Sequence, residues 1–524
     1  MKEKIPFGEK LSNVSQWLVA LFSLIAFGFL TLVSLIQTCH VDILYTKDNN
    51  EHVSFLNDNI ILNLVILAVL ILLALLLFRA KVTRKTVFWV TLGAVAVNAA
   101  VGIWWVLSAR AIPTADSSQI IGMAQKLISG NTDALAGSEY FKIYPYQTGF
   151  LLFAEGFLRL FGASNITAFQ LANPVFVCLS VVAIVLLAKE LFNDPKIELF
   201  TALLAGLCFQ PALLSTFLYG TLPAMALAMW SLYFVIRAIR TGKLLPLIPA
   251  ALLIALAILL KKNFWIVLIA EGIMTLLFII RNKKALMLIG LACMFALSAV
   301  VPSIVQTSYE TRAGESFGKG TPQMAWLVTG FNDSGLAPGW YNSYTGNILR
   351  KNDFDYEKTL AVCKADFVER VQIFASRPIY FASFFYYKIT SQWNEPEFQS
   401  IWSSASARMR GKTNPISDFV ESLGTGEASN TVHAYFNQIM QFVYVTMAVS
   451  FLALLLKKKE RDEARVIIPL VLVGAAIYHA LFEAKAQYAI IYIHMMLPYA
   501  ALGVAMLGEA LRKRNEKRQA KKEA

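Results

Sequence analysis

The chain has 524 residues, of which 57% are hydrophobic and only 15% charged. Soluble domains carry roughly a quarter charged residues, so this chain lacks the polar surface to cover a water-soluble globule. A disordered chain, a coiled coil and a disulfide scaffold are excluded, and an all-α polytopic membrane protein is expected. The formal net charge of +13, from 47 Lys+Arg and 34 Asp+Glu, does not point to nucleic acid. The basic residues lie in short clusters between apolar runs, as orientation signals do.

A bilayer core of about 30 Å needs about 20 apolar helical residues. The runs 15–38, 59–80, 86–108, 167–190, 198–218, 221–240, 244–260, 263–281, 285–306, 434–457, 465–484 and 488–508 meet that requirement. The first is read as a retained span, because no small-residue cleavage site closes a short apolar core. The stretch 147–162 is shorter and follows Pro145, so it is read as re-entrant or interfacial. The clusters Arg79–Lys85, Arg237–Lys243, Arg281–Lys284, Lys457–Arg461 and the tail after Leu511 then share the cytoplasmic side. The segment 39–58, with Asp42, Asp48, Glu51 and Asp58, reads as an outside loop, and 109–166 and 307–433 become long outside regions. The organisation is a two-helix extension (1–85), a membrane module (86–306), a large outer loop (307–433), C-terminal membrane helices (434–510) and a basic tail (511–524).

Several outer residues bear chemistry. In Ala111–Gly130 the apolar positions Ile120, Ile121, Ala124, Leu127 and Ile128 recur at helical spacing, so an amphipathic helix on the membrane surface is expected. Asp116 stands at its start. It suits an N-cap, with Gln119 closing a capping box, and equally a general base at membrane level. Glu139, Lys142, Tyr144 and Tyr146 lie in EYFKIYPYQTG, where Pro145 suits the head of a short helix and the tyrosines suit interfacial anchors. Lys261 and Lys262 interrupt an apolar stretch at an outer turn. They can snorkel to headgroups, or hold a lipid-linked phosphate through charge-assisted hydrogen bonds. Glu483, Lys485 and Tyr488 form another outer turn. In the large loop, Trp340 and Tyr341 of GWYN, and Gln392, Trp393, Asn394 and Glu395 of QWNEP, offer ring faces and amides to a sugar, as well as to a membrane interface.

Cys178, Cys208 and Cys293 lie in apolar runs and read as packing residues, while Cys39 and Cys363 fall in loops, and nothing has metal-ligand spacing. With no carboxylate cluster either, neither a divalent metal nor another cofactor is expected. Walker A, GxGxxG, HExxH and GxSxG patterns are missing, so ATP-driven transport, dinucleotide redox and zinc proteolysis lose support. No pair of broken helices in repeated halves signals a transporter.

The segments TADSSQIIGMAQKL, YFKIYPYQTGFLLFAEGFLRLFG, KELF, LLKKNF, APGWYN, QWNEP and HALFEAKAQY, spread over about 86–510, make the chain resemble the GT-C fold polyprenyl-phosphate-sugar glycosyltransferases. That family includes protein O-mannosyltransferases and the aminoarabinose transferase of lipid A, and the resemblance is strongest to Gram-positive bacterial members of family 39. It implies a multi-pass enzyme of the cell membrane that transfers a sugar from a polyprenyl phosphate to an extracytoplasmic glycan, lipid or protein. It puts Asp116 at the reaction centre, Lys261 or Lys262 on the lipid phosphate, and Lys485 in the place of a basic residue before the last span. Lys142 or Arg110 would add positive charge. The chain departs from many relatives at Ser117, where a second acid stands beside the first, at Tyr144-Pro145, near Thr221, where an acid is missing, and at Gln487, where an Arg precedes the Tyr. Rival readings are a lipid-linked sugar flippase, which would need gating on both faces, and a non-catalytic scaffold, which would tolerate loss of Asp116.

Overall fold

The computed structural model describes residues 6–43, 51–405, 415–425 and 427–523. It opens with Phe7–Ile36 (α1), a hairpin of Gln37–Ile43 (β1) and Glu51–Asn57 (β2), then Ile60–Phe78 (α2) and Arg84–Ala109 (α3). A cluster of shorter helices follows: Ala115–Ile128 (α4), Asp133–Ala136 (α5), Glu139–Ile143 (α6) and Thr148–Phe161 (α7). Next come Ile166–Phe192 (α8), Pro195–Leu207 (α9), Gln210–Leu213 (α10), Thr221–Thr241 (α11), Leu247–Leu260 (α12), Trp265–Asn282 (α13) and Met287–Ala313 (α14). The region after α14 holds Gln323–Gly330 (α15), Tyr344–Lys351 (α16), Tyr356–Ser376 (α17), Pro378–Trp393 (α18), Ser400–Ala405 (α19) and Pro415–Thr425 (α20). The chain closes with Glu427–Leu456 (α21), Glu463–Leu481 (α22), Ala486–Ala489 (α23) and Ile493–Glu523 (α24).

Among the described residues, eleven helices are long and apolar enough to cross a bilayer. The protein is an all-α polytopic membrane protein. The run read as a span over 244–260 becomes α12, with 14 residues, about 21 Å at 1.5 Å per residue. α7, over the stretch read as re-entrant or interfacial, has the same length. Ile61, Leu64, Val65, Leu72 and Leu73 of α2 are all about half exposed or more. In lipid such a face needs no cover.

The basic turns gather at one end of the bundle. Arg84 pairs with Glu198, Arg240 with Asp462 (2.9 Å) and Arg281 with Glu463 (3.0 Å). The opposite end carries the hairpin, α4 to α7 and α15 to α20. Three local readings change here. The segment 39–58 contains paired strands rather than only a loop, with Cys39 facing Phe55; Asp48 lies outside the described residues. Cys363 lies buried in α17, not in a loop. The large region 307–433 is mostly helical in its described parts, because its apolar positions pack on one another: Phe331, Phe374 and Phe384 form one small core.

Candidate active site

The site lies where three backbone segments approach closely. Gly149, at the start of α7, leaves so little room that a Cβ would sit 1.9 Å from the Leu259 carbonyl oxygen of α12. Gly220, at φ +72°, lets the turn before α11 pass the end of α12, where a Cβ would meet the Leu260 oxygen at 2.8 Å. The first turn of α4 is tied to the same turn, since the Ser117 hydroxyl donates to the Leu218 carbonyl at 2.7 Å. These approaches bring Asp116, Tyr219 and Lys261 together from positions far apart in the chain.

Asp116 is the second residue of α4, and Thr114 occupies the N-cap position with no side-chain cap bond. The capping-box reading is therefore corrected. The Asp116 carboxylate instead accepts the Tyr219 hydroxyl at 2.8 Å. The buried Tyr140 hydroxyl lies near both, short of hydrogen-bond geometry. Burial pushes the Asp116 carboxyl above its ordinary range; the Tyr219 hydrogen bond, Lys485 and Lys261 pull it back.

The Lys261 ammonium donates to the Thr221 hydroxyl at 3.1 Å and lies 4.7 Å from the Tyr219 ring centroid. Burial brings it down to about 8, against the upward pull of Asp116. Tyr219 thus contacts the acid through its hydroxyl and the amine through its ring. Among the described residues the two charges form no direct ion pair. Lys262 lies 4.4 Å from the Tyr146 ring centroid. Glu483 accepts the Tyr488 hydroxyl at 2.7 Å, and burial raises its carboxyl.

A hollow of about 120 Å³ is lined by Tyr146, Tyr219, Lys261, Lys262, Glu483 and Tyr488, with Gln323 and Trp326 of α15 on one wall; Asp116 is not among its lining residues and stands behind Tyr219, to which it is hydrogen-bonded. A second hollow of about 220 Å³ shares Tyr146, Leu259 and Lys262 with the first. It continues along Ser298, Ala299, Pro302 and Ser303 of α14. Lys262 lines both hollows.

The remaining sequence candidates take other places. Tyr144 borders the hollow through Trp326, with ring centroids 6.2 Å apart, and Tyr341 is 44% exposed. Lys485 is ion-paired with Glu51 at 2.5 Å. Lys142 is paired with Glu315 at 3.1 Å and Glu139 with Arg350 at 2.9 Å. Arg110 ends α3 in the left-handed region at φ 50°, exposed. Trp340 is fully buried, its indole donating to Ser391 at 2.9 Å. Gln392, Trp393, Asn394 and Glu395 are buried as well. Trp393 stacks on Tyr492 with centroids 5.9 Å apart, and Glu395 accepts the Gln399 backbone N–H at 2.6 Å. None of these five lines the hollow.

Sequence reasoning missed Tyr219, Gln147, Gln323, Trp326 and Lys388. The Lys388 ammonium is buried and donates to the Gly330 and Phe482 carbonyls at 2.5 and 2.8 Å, which fixes the turn carrying Glu483. A lysine within the aromatic run YFASFFYYKI is the signal that was open to reading.

Residues 149–305 match the family model described as dolichyl-phosphate-mannose-protein mannosyltransferase. The match supports a membrane glycosyltransferase of the GT-C type. It covers α8 to α13 with most of α7 and α14, hence Tyr219, Lys261 and Lys262, while Asp116 and Glu483 lie outside it. No curated protein matches the chain.

Proposed function

We propose that the chain transfers a sugar from a polyprenyl phosphate to an acceptor hydroxyl at the outer membrane surface, with inversion at the anomeric carbon. The observation that carries this reading is the shared contact of Asp116 and Lys261 with Tyr219, beside a hollow that shares Tyr146, Leu259 and Lys262 with a second one along α14. In this mechanism Asp116 removes the acceptor proton as its oxygen attacks the anomeric carbon. The bond to the lipid phosphate oxygen breaks, and the charge that builds there is met by Lys261 and Lys262. A phosphate leaving group needs no proton, so one carboxylate and two ammonium groups suffice. The groove along α14 takes the first isoprene units, and Tyr146 and Trp326 offer ring faces to the sugar. The basic turns at the far end of the bundle support an extracytoplasmic hollow by charge bias.

The test incubates purified full-length protein with radiolabelled polyprenyl-phosphate hexoses and pentoses and an envelope extract as acceptor. Consumption of one donor by the native chain, lost in Asp116→Asn, supports the reading. Donor that crosses vesicle membranes intact favours the flippase instead. A chain that consumes none of the donors, and whose deletion leaves envelope glycans unchanged, refutes the enzyme.

A further inference from the structure

Away from the hollow, three polar side chains with metal-binding atoms converge in the interior: His40 from β1, Glu397 from the turn after α18 and His433 from α21. One ligand atom from each lies within 4.8 Å of the others, and all three residues are buried. The two imidazole rings are neighbours, with centroids 4.5 Å apart and planes tilted by 51°. His433 Nδ1 lies 3.7 Å from Glu397 Oε1. Both His433 ring nitrogens and Glu397 Oε1 are buried without a hydrogen-bond partner among the described residues. The Ser429 hydroxyl, 3.2 Å from His40 Nε2, completes the polar lining.

Each buried unpaired polar atom costs about 1–3 kcal/mol, a cost borne by three atoms of this one cluster, which a bound cation would relieve in part. The charge balance points the same way. Glu395 and Glu397 are 0% and 3% exposed, and neither is paired with a lysine or arginine among the described residues. Two carboxylates in one dry site call for a cation. Zinc bound at about 2.0–2.2 Å by nitrogen and carboxylate oxygen sets neighbouring ligands about 3.3 Å apart. The three ligand atoms, within 4.8 Å of one another, would have to close from up to that distance around the ion.

We propose that His40, Glu397 and His433 bind a zinc ion, with the Glu395 carboxylate balancing its charge nearby. Imidazole and carboxylate together suit zinc among the common divalent metals. The ion would join the hairpin, the turn after α18 and α21 into one unit. Phe398 and Gln399 of that turn hold φ of +51° and +54°, and the Gln399 amide donates to Glu51 at 3.1 Å. Glu51 in turn holds Lys485, so the metal would anchor the mount of that lysine without touching substrate.

The test uses full-length protein purified through a tag without histidines and analysed for zinc, manganese, iron, cobalt, nickel and copper. About one zinc per chain is expected, falling more than tenfold in Glu397→Gln and in His433→Ala. Metal-stripped native protein titrated with cobalt should develop visible absorption that saturates at one equivalent and that zinc abolishes. The cobalt spectrum needs no substitution, so it decides the matter even if His433→Ala does not fold. Native protein that binds no metal and gives no cobalt bands overturns the proposal, as does zinc retained undiminished in both variants. Neither readout depends on glycosyl transfer.

Discussion

Replacement of Asp116 by Asn removes charge and basicity with little change of shape. The Asn Oδ1 can still accept the Tyr219 hydroxyl now bound at 2.8 Å, so the position of the residue is retained. Loss of a general base typically costs 10²–10⁴ in rate, so kcat for donor consumption should fall by about 10³, equivalent to about 4 kcal/mol of barrier. Burial holds the carboxyl above its ordinary range. A raised carboxyl means that the folded state resists ionisation, so near neutral pH the neutral amide should leave Tm unchanged or slightly higher. Asp116 also pulls the Lys261 ammonium upward, and its removal should shift the lysine further down. Residual activity should therefore decline at a lower pH than in the native enzyme. The assay is a pH series of donor consumption with purified protein, beside thermal unfolding of the same samples. Activity within about threefold of native would refute the base, and a fall in Tm of several degrees would show that the carboxylate serves the fold.

Other outcomes follow from the same geometry. Native activity should rise with pH as Asp116 ionises and decline above about 8 as Lys261 loses its proton; Lys261→Arg should abolish the decline, and an unchanged high-pH limb would show that Lys261 does not titrate in the reaction. Tyr219→Phe keeps the ring beside Lys261 but drops the hydrogen bond to Asp116, so kcat should fall about tenfold, near 1.4 kcal/mol, with the fold intact by circular dichroism. Lys485→Met removes the cation paired with the buried Glu51 carboxylate, leaving the Gln399 amide on it, and should cost up to about 3 kcal/mol, and Glu51→Gln in the same chain should recover part of it in a thermal unfolding cycle. Trp393→Ala should cost about 3–5 kcal/mol of stability, because the ring is buried against Tyr492; a raised KM at unchanged Tm would show instead that it touches substrate.

The membrane architecture was legible in the chain because it rests on one local property. A run of about 20 apolar residues must satisfy its own backbone hydrogen bonds in lipid, and only a helix does so. Run lengths therefore set the kind of the long helices, and among the described residues eleven of the twelve expected runs are long enough to cross, whereas 244–260 falls short as α12. α4 was legible for the same reason, since Ile120, Ile121, Ala124 and Leu127 mark its buried face. The site was legible only as residue types at outer turns. Whether Asp116 caps its helix or joins the residues of the hollow depended on its hydrogen bond to Tyr219, 103 positions away, and no local pattern encodes that contact. Trp340 and QWNEP looked like a sugar platform, yet buried, partly hydrogen-bonded surroundings enclose them, because indole and amide groups serve either setting equally well. His40, Glu397 and His433 share no spacing, so only the packing of the hairpin, the turn after α18 and α21 brings them together. Periodicity and charge act over a few residues along the chain, whereas the hollow and the histidine cluster are made by side chains that meet across it.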